Sequence, residues 1–503
     1  MLTDAAQSID LLPGRQRANR AQRLTVGSAR LSAVAVLYLL LPNLPMLLSI
    51  GGLGALPHGY INVECLLIGA VGVLLPRGLV FALLVLELLV DFAYSLCYTY
   101  KFTLAELLAS LRYLPVLPRG RVLAGLAVLA LGILFCAALA LVRPRRGERL
   151  FATGALLLCM ATLSAIDMAD GQNFLWRKDV TFSSLRLVRS PLLVLAVWEA
   201  AARRMDAQSL QPGDVPMASA SSHAISFLDN RQNVPEAPNV VLIVVESWGL
   251  ARDPALAGQL TEAYDDPRIA LRYRVSHGSA PFSGLTVPGE ARELCHSTLG
   301  FGILRATPDQ IRQCLPARLH ARGYRSTAVH GYVGQMFYRS AWYPTLGFDR
   351  SWFGPDLAAQ GLPRCGGAFP GVCDASIAAW IGSTLLSGDP KQPQFVYWVT
   401  LNSHLPVPAH PDLPGDEACA AQPILLDDAA LCSWFRLVRT VHQSVRQLAL
   451  SDTGRPTIFV LVGDHAPPFA DPRLRQRFSG VEVPWVMLTP LSLQSAASLR
   501  AAP

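Results

Sequence analysis

Residues 239–248 read NVVLIVVESW. Most of this stretch is aliphatic and does not alternate with polar residues, which predicts a strand buried on both faces. The strand ends at Glu246. A carboxylate there costs free energy unless a cation or hydrogen-bond donors pair with it. The stretch therefore predicts a parallel sheet that carries its chemistry at the carboxyl ends of its strands.

Further stretches outside this one have the same β-rich character, and they read YRSTAV, QFVYWVTL and TIFVLV at residues 324–329, 394–401 and 457–462. The segments between them, such as 306–322 and 427–450, are long enough for helices. Strands that alternate with helices predict a mostly parallel central sheet covered by helices. We expect this α/β domain to cover residues 238–490, followed by a tail over 491–503.

Polar residues follow two of these strands. Asn402, Ser403 and His404 follow one, and Gly463, Asp464 and His465 follow the other. Glu246 and Asp464 offer two carboxylates, and His465 offers an imidazole. This ligand set accepts Zn²⁺ or Mn²⁺. A fourth position would be open to a nucleophile or a substrate oxygen. The alternative is that Asp464 and His465 only cap a helix and make hydrogen bonds.

A hydroxyl nucleophile is expected near a backbone turn, and residues 279–300 read SAPFSGLTVPGEARELCHSTLG. Thr286 stands at the expected N-cap of a helix, where free N–H groups bind phosphate. A metal-bound threonine oxygen could attack phosphorus there and form a phospho-enzyme. Ser283 is the rival nucleophile, and a plain N-cap role for Thr286 is the structural alternative.

The N-terminal third of the chain is much more hydrophobic than the α/β domain. Hydrophobic residues make up 51% of the whole chain and charged residues only 16%. The excess lies in runs long enough to suggest an N-terminal transmembrane α-helical bundle of five spans within residues 31–170. These runs cover residues 31–52, 61–76, 78–97, 122–142 and 150–168. The second run is short and could instead be a buried core helix.

Arginine placement predicts the orientation of this bundle. Clusters of arginine lie in the tail 1–30 and at 143–149, and such clusters mark the cytoplasmic side. Five spans then place everything after residue 170 on the outer side, although loop 98–121 also carries basic residues.

The 40 Arg and 3 Lys are not concentrated on one soluble stretch, so nucleic-acid binding is not expected.

Residues 171–237 connect the two halves. Residues 174–204 mix apolar and basic residues and predict amphipathic interfacial helices, and residues 205–237 read as a linker. Within the third span, Glu87 and Asp91 share one helix face. Carboxylates inside a membrane are often functional, but these two could also face loop arginines.

The ten cysteines divide between the two halves. Those of the spans are expected to be inert packing residues, whereas the six of the α/β domain indicate disulfides and an oxidising compartment. Six cysteines allow fifteen pairings. Proximity in the sequence suggests Cys295–Cys314, Cys365–Cys373 and Cys419–Cys432. A cysteine metal site is disfavoured because the domain contains no C-x-x-C pair.

The order of these motifs over residues 239–490 resembles the alkaline phosphatase superfamily. The resemblance is strongest to the membrane-anchored lipoteichoic acid synthases, phosphoglycerol transferases and phosphoethanolamine transferases. It implies an alkaline phosphatase/sulfatase-like fold and a divalent metal, Zn²⁺ or Mn²⁺. By position, it implies that Glu246, Thr286, Asp464 and His465 are metal ligands, that Thr286 is the nucleophile, that His404 contacts the phosphate, and that His330 and Arg339 bind substrate. Glu290 recurs in synthase-like members and could be structural.

The resemblance also implies a reaction and a place. A head group would pass from a membrane phospholipid, through a phospho-threonine, to an envelope glycan or lipid. The protein would be a multi-pass protein of the bacterial inner membrane, with its catalytic domain in the periplasm. The cysteine pattern favours phosphoethanolamine, whose ammonium Glu290 or Glu293 could receive. The Thr-x-x-x-Glu motif and the lack of a second histidine after Gly-Asp-His favour phosphoglycerol.

Other readings of the same fold remain open. Sulfatases carry Cys or Ser followed by x-Pro-x-Arg, and here the matching residues are Thr286, Val287, Pro288, Gly289 and Glu290. Threonine cannot yield formylglycine, which argues against sulfate-ester hydrolysis. A phosphodiesterase would give the phosphoryl group to water, and an inactive anchored module would only bind glycans.

Overall fold

The structure is a computed structural model of the whole chain. It describes residues 34, 36–53, 59–100, 104–142, 146–169, 186–193, 195–196, 200, 218–230, 237–282, 286–297, 303, 306–407, 419, 425, 428–469 and 471–493. The chain divides into two compact units. Unit 1 is formed by residues 1–99, 123–178 and 184–200, and unit 2 by residues 100–122, 179–183 and 201–503.

Unit 2 is built on a sheet with seven strands among the described residues. In chain order these are β1 Asn239–Val245, β2 Tyr273–Pro281, β3 Arg325–His330, β4 Arg350–Trp352, β5 Gln394–Val399, β6 Thr457–Gly463 and β7 Glu482–Pro490. Their spatial order is β2-β7-β6-β1-β5-β3-β4. Every residue of β1 and β6 is buried, so both faces of the sheet centre are covered.

The register of the central strands positions the site. Strands β1 and β6 are parallel, and Val245 pairs with Gly463. Glu246 and Asp464 therefore leave adjacent strands at the same level. Strand β5 pairs in parallel with β1 on the other side, and its carboxyl end leads into the segment that carries His404. The carboxyl ends of three strands thus converge at one edge of the sheet.

The sheet is mixed, so the mostly parallel sheet expected from the sequence is not confirmed. The four strands expected from the sequence are present as β1, β3, β5 and β6, and β4 adds a further parallel strand beside β3. Strands β7 and β2 extend the other edge and pair antiparallel. The sequence did not predict them because β7 contains Pro484 and Pro490 and because β2 is rich in polar residues and contains Gly278.

The helices of unit 2 follow the sequence signals with local changes. The expected helix at 427–450 is Ala429–Leu450, capped by the side chain of Asp428. The expected helix at 306–322 is divided into Pro308–Gln313 and Leu315–His320. The remaining helices of six or more residues include Pro254–Thr261, Thr286–Cys295, Arg339–Thr345, Gly354–Ala359 and Asp374–Leu386.

Two segments outside residues 238–490 belong to unit 2. The expected linker contains the helix Ala220–Asp229, which begins after the cap residue Ser219 and packs against β6 and β7. Residues 100–122, which follow the expected third span, contribute the helix Leu104–Ser110 and the 3₁₀ helix Leu111–Val116. Unit 2 therefore includes a segment that lies between two of the long apolar helices in the sequence.

Three disulfides join the six cysteines of unit 2 in the part of the chain that the structure describes. The pairs are Cys295–Cys314, Cys365–Cys373 and Cys419–Cys432. The pairing suggested by sequence proximity is confirmed. Cys65, Cys97, Cys136 and Cys159, all in unit 1, are free thiols.

Three described helices are long and apolar enough to cross a membrane. They cover Arg77–Cys97, Arg119–Leu141 and Arg149–Ile166. At about 1.5 Å per residue they match a hydrocarbon core of about 30 Å. Large apolar side chains such as Leu86, Leu134 and Leu158 are exposed on them, as lipid-facing residues would be.

Five spans are not confirmed. In the first expected run, the described residues form a shorter apolar helix, Val36–Leu48. The second expected run forms the strand Gly59–Asn62 and the ten-residue helix Val63–Gly72. Ten helical residues extend only about 15 Å, roughly half of a hydrocarbon core. Asn62 caps this helix by accepting from the N–H of Cys65, which explains why the helix begins so late.

The carboxylates of the long helix Arg77–Tyr100 have protein partners. Asp91 accepts two hydrogen bonds from Arg189, at 2.8 and 2.6 Å, and Glu87 accepts one from Asn62 at 2.8 Å. Arg189 ends the strand Arg186–Arg189, which pairs in parallel with Gly59–Asn62. This part of the expected interfacial segment is thus a strand. Its last residue, Arg189, is the arginine partner of Asp91.

Parts of several expectations lie outside the described residues. They are the basic tail 1–30, most of the interfacial segment 174–204, much of the linker 205–237, the rival nucleophile Ser283 and the end of the tail 491–503.

Candidate metal centre and active site

Glu246 is held in place from several directions. Its backbone N–H donates to Thr400 Oγ1 at 2.9 Å, and its carbonyl oxygen accepts from Ser403 Oγ at 2.6 Å. Ser247 adopts a left-handed backbone with φ 58° and donates through Oγ to Glu246 Oε1 at 2.8 Å. A non-glycine residue in this conformation costs free energy, so the surrounding structure must stabilise it. The carboxylate is therefore fixed at the end of β1.

Asp464 has one satisfied and one unsatisfied oxygen. Its Oδ1 accepts from the N–H groups of Ser247 and His465, at 2.8 and 2.7 Å. Its Oδ2 is buried and has no hydrogen-bond partner among the described residues. Burial, and then the negative charge of Glu246, raise the pKa of Asp464 to about 7. An ionised carboxylate in this position needs a cation.

His465 presents a lone pair to both carboxylates. Its Nδ1 lies 2.9 Å from the carbonyl oxygen of Ala466, and a carbonyl can only accept, so Nδ1 carries the proton. Nε2 is then unprotonated, and it lies 3.3 Å from Asp464 Oδ2 and 3.5 Å from Glu246 Oε1. Binding the other ring nitrogen to a backbone carbonyl is the usual way to orient a metal-ligating histidine.

These residues fit a divalent metal. Glu246, Asp464 and His465 each offer a ligand atom, and these atoms lie within 4.8 Å of one another in a buried cluster. The unsatisfied Asp464 Oδ2 and the bare Nε2 of His465 are the atoms that a cation would satisfy. Two carboxylates and an imidazole suit Zn²⁺ and Mn²⁺ alike.

Thr286 joins this cluster through its hydroxyl group. Thr286 Oγ1 donates to Glu246 Oε2 at 3.1 Å, and the residue is buried. The helix Thr286–Cys295 packs directly on the Asp464 backbone, where Gly289 has no side chain. The structure therefore brings together the four residues expected as ligands and nucleophile: Glu246, Thr286, Asp464 and His465.

Arg292 was not identified from the sequence, yet it holds the helix to the strand end. Its side chain is buried and donates to the carbonyl oxygens of Gly463 at 2.6 Å and Asp464 at 3.4 Å. It also pairs with Glu293 Oε1 at 2.6 Å. In the sequence it reads as one more charged helical residue, and only the fold shows that it faces inward.

His330 and Arg339 form a buried group with Glu290. Arg339 donates to Glu290 Oε1 through Nε at 3.0 Å and Nη2 at 2.7 Å. Its Nη1 lies 3.2 Å from His330 Nε2, while His330 Nδ1 lies 3.0 Å from the Val399 carbonyl oxygen. That carbonyl fixes the proton on Nδ1, so Nε2 accepts from the arginine. Burial, and then Arg339, hold the pKa of His330 well below its usual value.

Glu290 and Glu293 both have close partners already. Glu290 Oε2 accepts from the hydroxyl groups of Tyr343 at 2.7 Å and Tyr397 at 3.1 Å. Glu293 accepts from the N–H of Ser221 at 2.9 Å in addition to its pair with Arg292. Neither carboxylate is positioned to receive the ammonium of a head group, contrary to what the sequence suggested. Both stabilise the unit from inside.

His404 lies beside the group formed by Glu246, Asp464 and His465 and is not part of it. Its Nδ1 lies 2.7 Å from the Leu405 carbonyl oxygen, so that nitrogen carries the proton. Burial, and then the positive charge of Arg121, lower the pKa of His404 to about 3. The charges of His465 and Asp464 also act on it, which places it near their strand end. At neutral pH it is an uncharged imidazole with a bare Nε2.

A family model for sulfatases matches residues 238–500, just over half of the chain. The chain belongs to the sulfatase family. This confirms the resemblance to the alkaline phosphatase superfamily that the motif order predicted. Within this sulfatase-family domain, position 286 holds threonine, so membership of the family does not imply a formylglycine.

A curated relative of this sulfatase-family chain comes from Rhizobium meliloti (strain 1021), and its name assigns it to cyclic beta-1,2-glucan modification. The two are 26% identical over 276 residues, which are 51% of this chain. The chain matches only 41% of the length of that relative.

Three solved structures resemble part of this chain. The lipoteichoic acid synthase LtaP of Listeria monocytogenes is 14% identical, with a TM-score of 0.36, and covers 52% of this chain and 71% of its own. The Streptococcus pyogenes phosphoglycerol transferase GacH, bound to sn-glycerol-1-phosphate, is 15% identical, with a TM-score of 0.37 and coverages of 54% and 76%. The periplasmic domain of EcEptC from Escherichia coli, with zinc, is 14% identical, with a TM-score of 0.33 and coverages of 52% and 76%.

Proposed function

We propose that this protein transfers a phospholipid head group, phosphoethanolamine or phosphoglycerol, to a hydroxyl group of an envelope glycan or lipid. The reaction would pass through a phosphoester on Thr286. The observation that carries the proposal is the hydrogen bond from Thr286 Oγ1 to Glu246 Oε2 within a buried group of metal-ligating side chains. We place the protein in a bacterial inner membrane with unit 2 in the periplasm, and its disulfides and apolar helices support this.

In the first step, Thr286 attacks the phosphorus of the donor lipid. The bond from Thr286 Oγ to phosphorus forms while the bond from phosphorus to the diacylglycerol oxygen breaks. Glu246 is the acceptor toward which the Thr286 hydroxyl hydrogen points. The leaving diacylglycerol oxygen gains one proton.

A divalent metal bound by Glu246, Asp464 and His465 would lower the pKa of the Thr286 hydroxyl and offset the charge that develops on the phosphoryl oxygens. The protein itself supplies orientation. Arg292 and the close approach of Gly289 hold the nucleophile helix against the Asp464 backbone. Correct positioning of reacting groups is worth several powers of ten in rate.

In the second step, an acceptor hydroxyl attacks the phosphorus and Thr286 leaves. The new oxygen–phosphorus bond forms, the Thr286 ester bond breaks, and Thr286 Oγ regains a proton. His404 offers its unprotonated Nε2 as a hydrogen-bond acceptor for the attacking hydroxyl, and the proton that this hydroxyl loses passes to Thr286 Oγ. Water in place of the acceptor would turn the same chemistry into hydrolysis.

The name of the relative from Rhizobium meliloti supports a glycan as acceptor, because it refers to modification of a cyclic beta-1,2-glucan. The two donor head groups share the phosphodiester chemistry described above. Neither Glu290 nor Glu293 is positioned to select the ammonium of phosphatidylethanolamine.

The test is to capture the phospho-enzyme. Purified full-length protein is incubated with phosphatidylethanolamine or phosphatidylglycerol and digested, and the peptide that carries Thr286 is weighed. The expected adduct is the head-group phosphate, absent from Thr286→Ala and after removal of metal by a chelator. Thr286→Ala should lower turnover by at least about a thousandfold while its circular dichroism spectrum and metal content are unchanged.

Transfer and hydrolysis are separated by adding a cyclic glucan and analysing the products. Phosphoglycan in the product supports transfer, and free head-group phosphate alone supports a hydrolase. Full turnover by Thr286→Ala would contradict the proposed nucleophile.

A further inference from the structure

Residues between two apolar helices of the N-terminal third belong to the catalytic unit. Residues 104–118, here called the interhelical loop, form a short helix, a 3₁₀ turn and the chain up to Pro118. They lie in unit 2 together with Thr286 and Glu246. Tyr332 donates to the carbonyl oxygen of Val116 at 2.5 Å, across 216 positions of sequence.

The interhelical loop packs on the turn that precedes Arg339. Phe337 and Tyr338 have left-handed backbones, with φ 55° and 53°. The buried ring of Tyr113 meets both of them edge-on, with centroids 6.0 Å from Phe337 and 5.0 Å from Tyr338. Arg112 lies 4.4 Å above the Tyr338 ring. Two adjacent left-handed residues need such support, because each of these backbone conformations is strained.

Arg121 follows the interhelical loop and lies next to the active site. Its guanidinium carbon is 5.2 Å from the centroid of Phe369. Phe369 in turn meets His404 at 4.6 Å and Tyr332 at 5.3 Å. The positive charge of Arg121 is, after burial, the largest cause that lowers the pKa of His404. Arg121 therefore lies close enough to act electrostatically on His404.

Arg121 lies at the end of an apolar helix, the level at which lipid phosphates lie in a bilayer. It lies in the first turn of the apolar helix Arg119–Leu141, which is long enough to cross a membrane. An arginine at the end of a membrane-spanning helix extends toward the interface, where lipid phosphodiesters lie. An anionic phosphodiester that approaches Thr286 also meets the buried carboxylates of Glu246 and Asp464 and requires positive charge to offset them.

We propose that Arg121 binds the anionic phosphodiester of the lipid donor, with the interhelical loop fixing its position. This inference rests on the proposed function and names the residue that recognises the donor. Guanidinium groups bind phosphate oxygens through paired hydrogen bonds, which suits this task.

The test compares Arg121→Gln with Arg119→Gln, which removes the same charge from an exposed residue two positions earlier. Full-length variants are assayed in mixed micelles with phosphatidylethanolamine and phosphatidylglycerol, and with the soluble phosphodiester bis(4-nitrophenyl) phosphate. Arg121→Gln should raise KM for the lipid and the soluble donor by about tenfold to a hundredfold, with kcat within about twofold. Arg121→Lys, which keeps the charge, should recover most of the loss.

The outcomes separate this inference from the proposed function. If wild type consumes the donors and Arg121→Gln matches Arg119→Gln, only the inference fails. A rise in KM for the lipid alone would mean that Arg121 contacts the membrane rather than the phosphodiester, and would overturn the inference. If wild type forms no adduct on Thr286, the proposed function fails whatever the Arg121 variants do.

Discussion

Gly289 lies against the backbone of Asp464, and a β-carbon on Gly289 would come within 3.0 Å of the Asp464 α-carbon. The helix that carries the proposed nucleophile Thr286 and the strand end that carries the proposed metal ligands therefore touch without an intervening side chain. The distance between nucleophile and ligands depends on this contact.

Gly289→Ala should separate the helix from Asp464. Because the clash is with backbone, one of the two must move, and overpacking of this kind costs about 1–3 kcal/mol. We expect turnover to fall by at least about tenfold and metal affinity to weaken. Gly258→Ala is the matched control, since Gly258 lies in the helix Pro254–Thr261 and has open space around it. Wild-type turnover and metal content in Gly289→Ala would show that the contact is unimportant.

Glu290→Gln should destabilise unit 2 strongly. The substitution leaves the buried Arg339 guanidinium without its counter-charge, and breaking a buried pair costs about 3–5 kcal/mol. Glu262→Gln breaks the more exposed pair with Arg439 and should change stability by less than about 1 kcal/mol. Unfolding in denaturant, followed by tryptophan fluorescence, measures both. Equal stability of the two variants would argue against a stabilising role for Glu290.

Asp374 should give the protein a distinctive pH dependence. It is buried and accepts from the N–H groups of Leu401 and Asn402, and burial raises its pKa from 3.8 to about 7. The folded state then holds a proton that the unfolded state has released, so this group lowers stability as pH rises from about 4 to about 7. Asp374→Asn removes the titration and should flatten that part of the stability curve.

Thermal unfolding of wild type and Asp374→Asn at several pH values tests this expectation. The difference between them should grow in favour of the asparagine variant up to about pH 7 and stay constant above it. A difference that does not vary over this interval would mean that Asp374 is ionised throughout.

The Cys295–Cys314 disulfide should contribute to stability without taking part in the reaction. It joins the end of the nucleophile helix to the chain 19 positions later, and a loop of that size corresponds to about 3 kcal/mol. The double variant Cys295→Ala/Cys314→Ala should lose about this amount while it keeps Thr286 phosphorylation. Cys159→Ser, at a free thiol, is the control and should have little effect. Unchanged stability of the double variant would contradict the expectation.

The sequence predicted the parts of the molecule whose signal is local. The apolar strands β1 and β6, the residues that end them and the threonine near a helix start are visible as short patterns. Their convergence follows from a rule about parallel strands, so Glu246, Asp464 and His465 could be grouped before any coordinates.

Features that depend on distant partners were not predictable in this way. Helix Ala220–Asp229 looks like a linker because its residues are small and polar, and its support comes from Glu293, more than 70 positions later. The antiparallel edge was hidden by prolines and polar residues in β7 and β2. Arg292 and the interhelical loop acquire their roles only when the chain has folded around them.

The hydrogen bonds from Ser221 to Glu293 bear on how this domain could be produced by itself. Ser221 donates through its backbone N–H and its hydroxyl to Glu293, whose carboxylate also pairs with Arg292. A recombinant fragment that starts at the family boundary, residue 238, would lack Ser221. It would leave the Arg292–Glu293 pair open to water on that side, beside the strand end that carries Asp464. A fragment that starts before Ser219 would keep this support but would still lack the interhelical loop, which also belongs to unit 2.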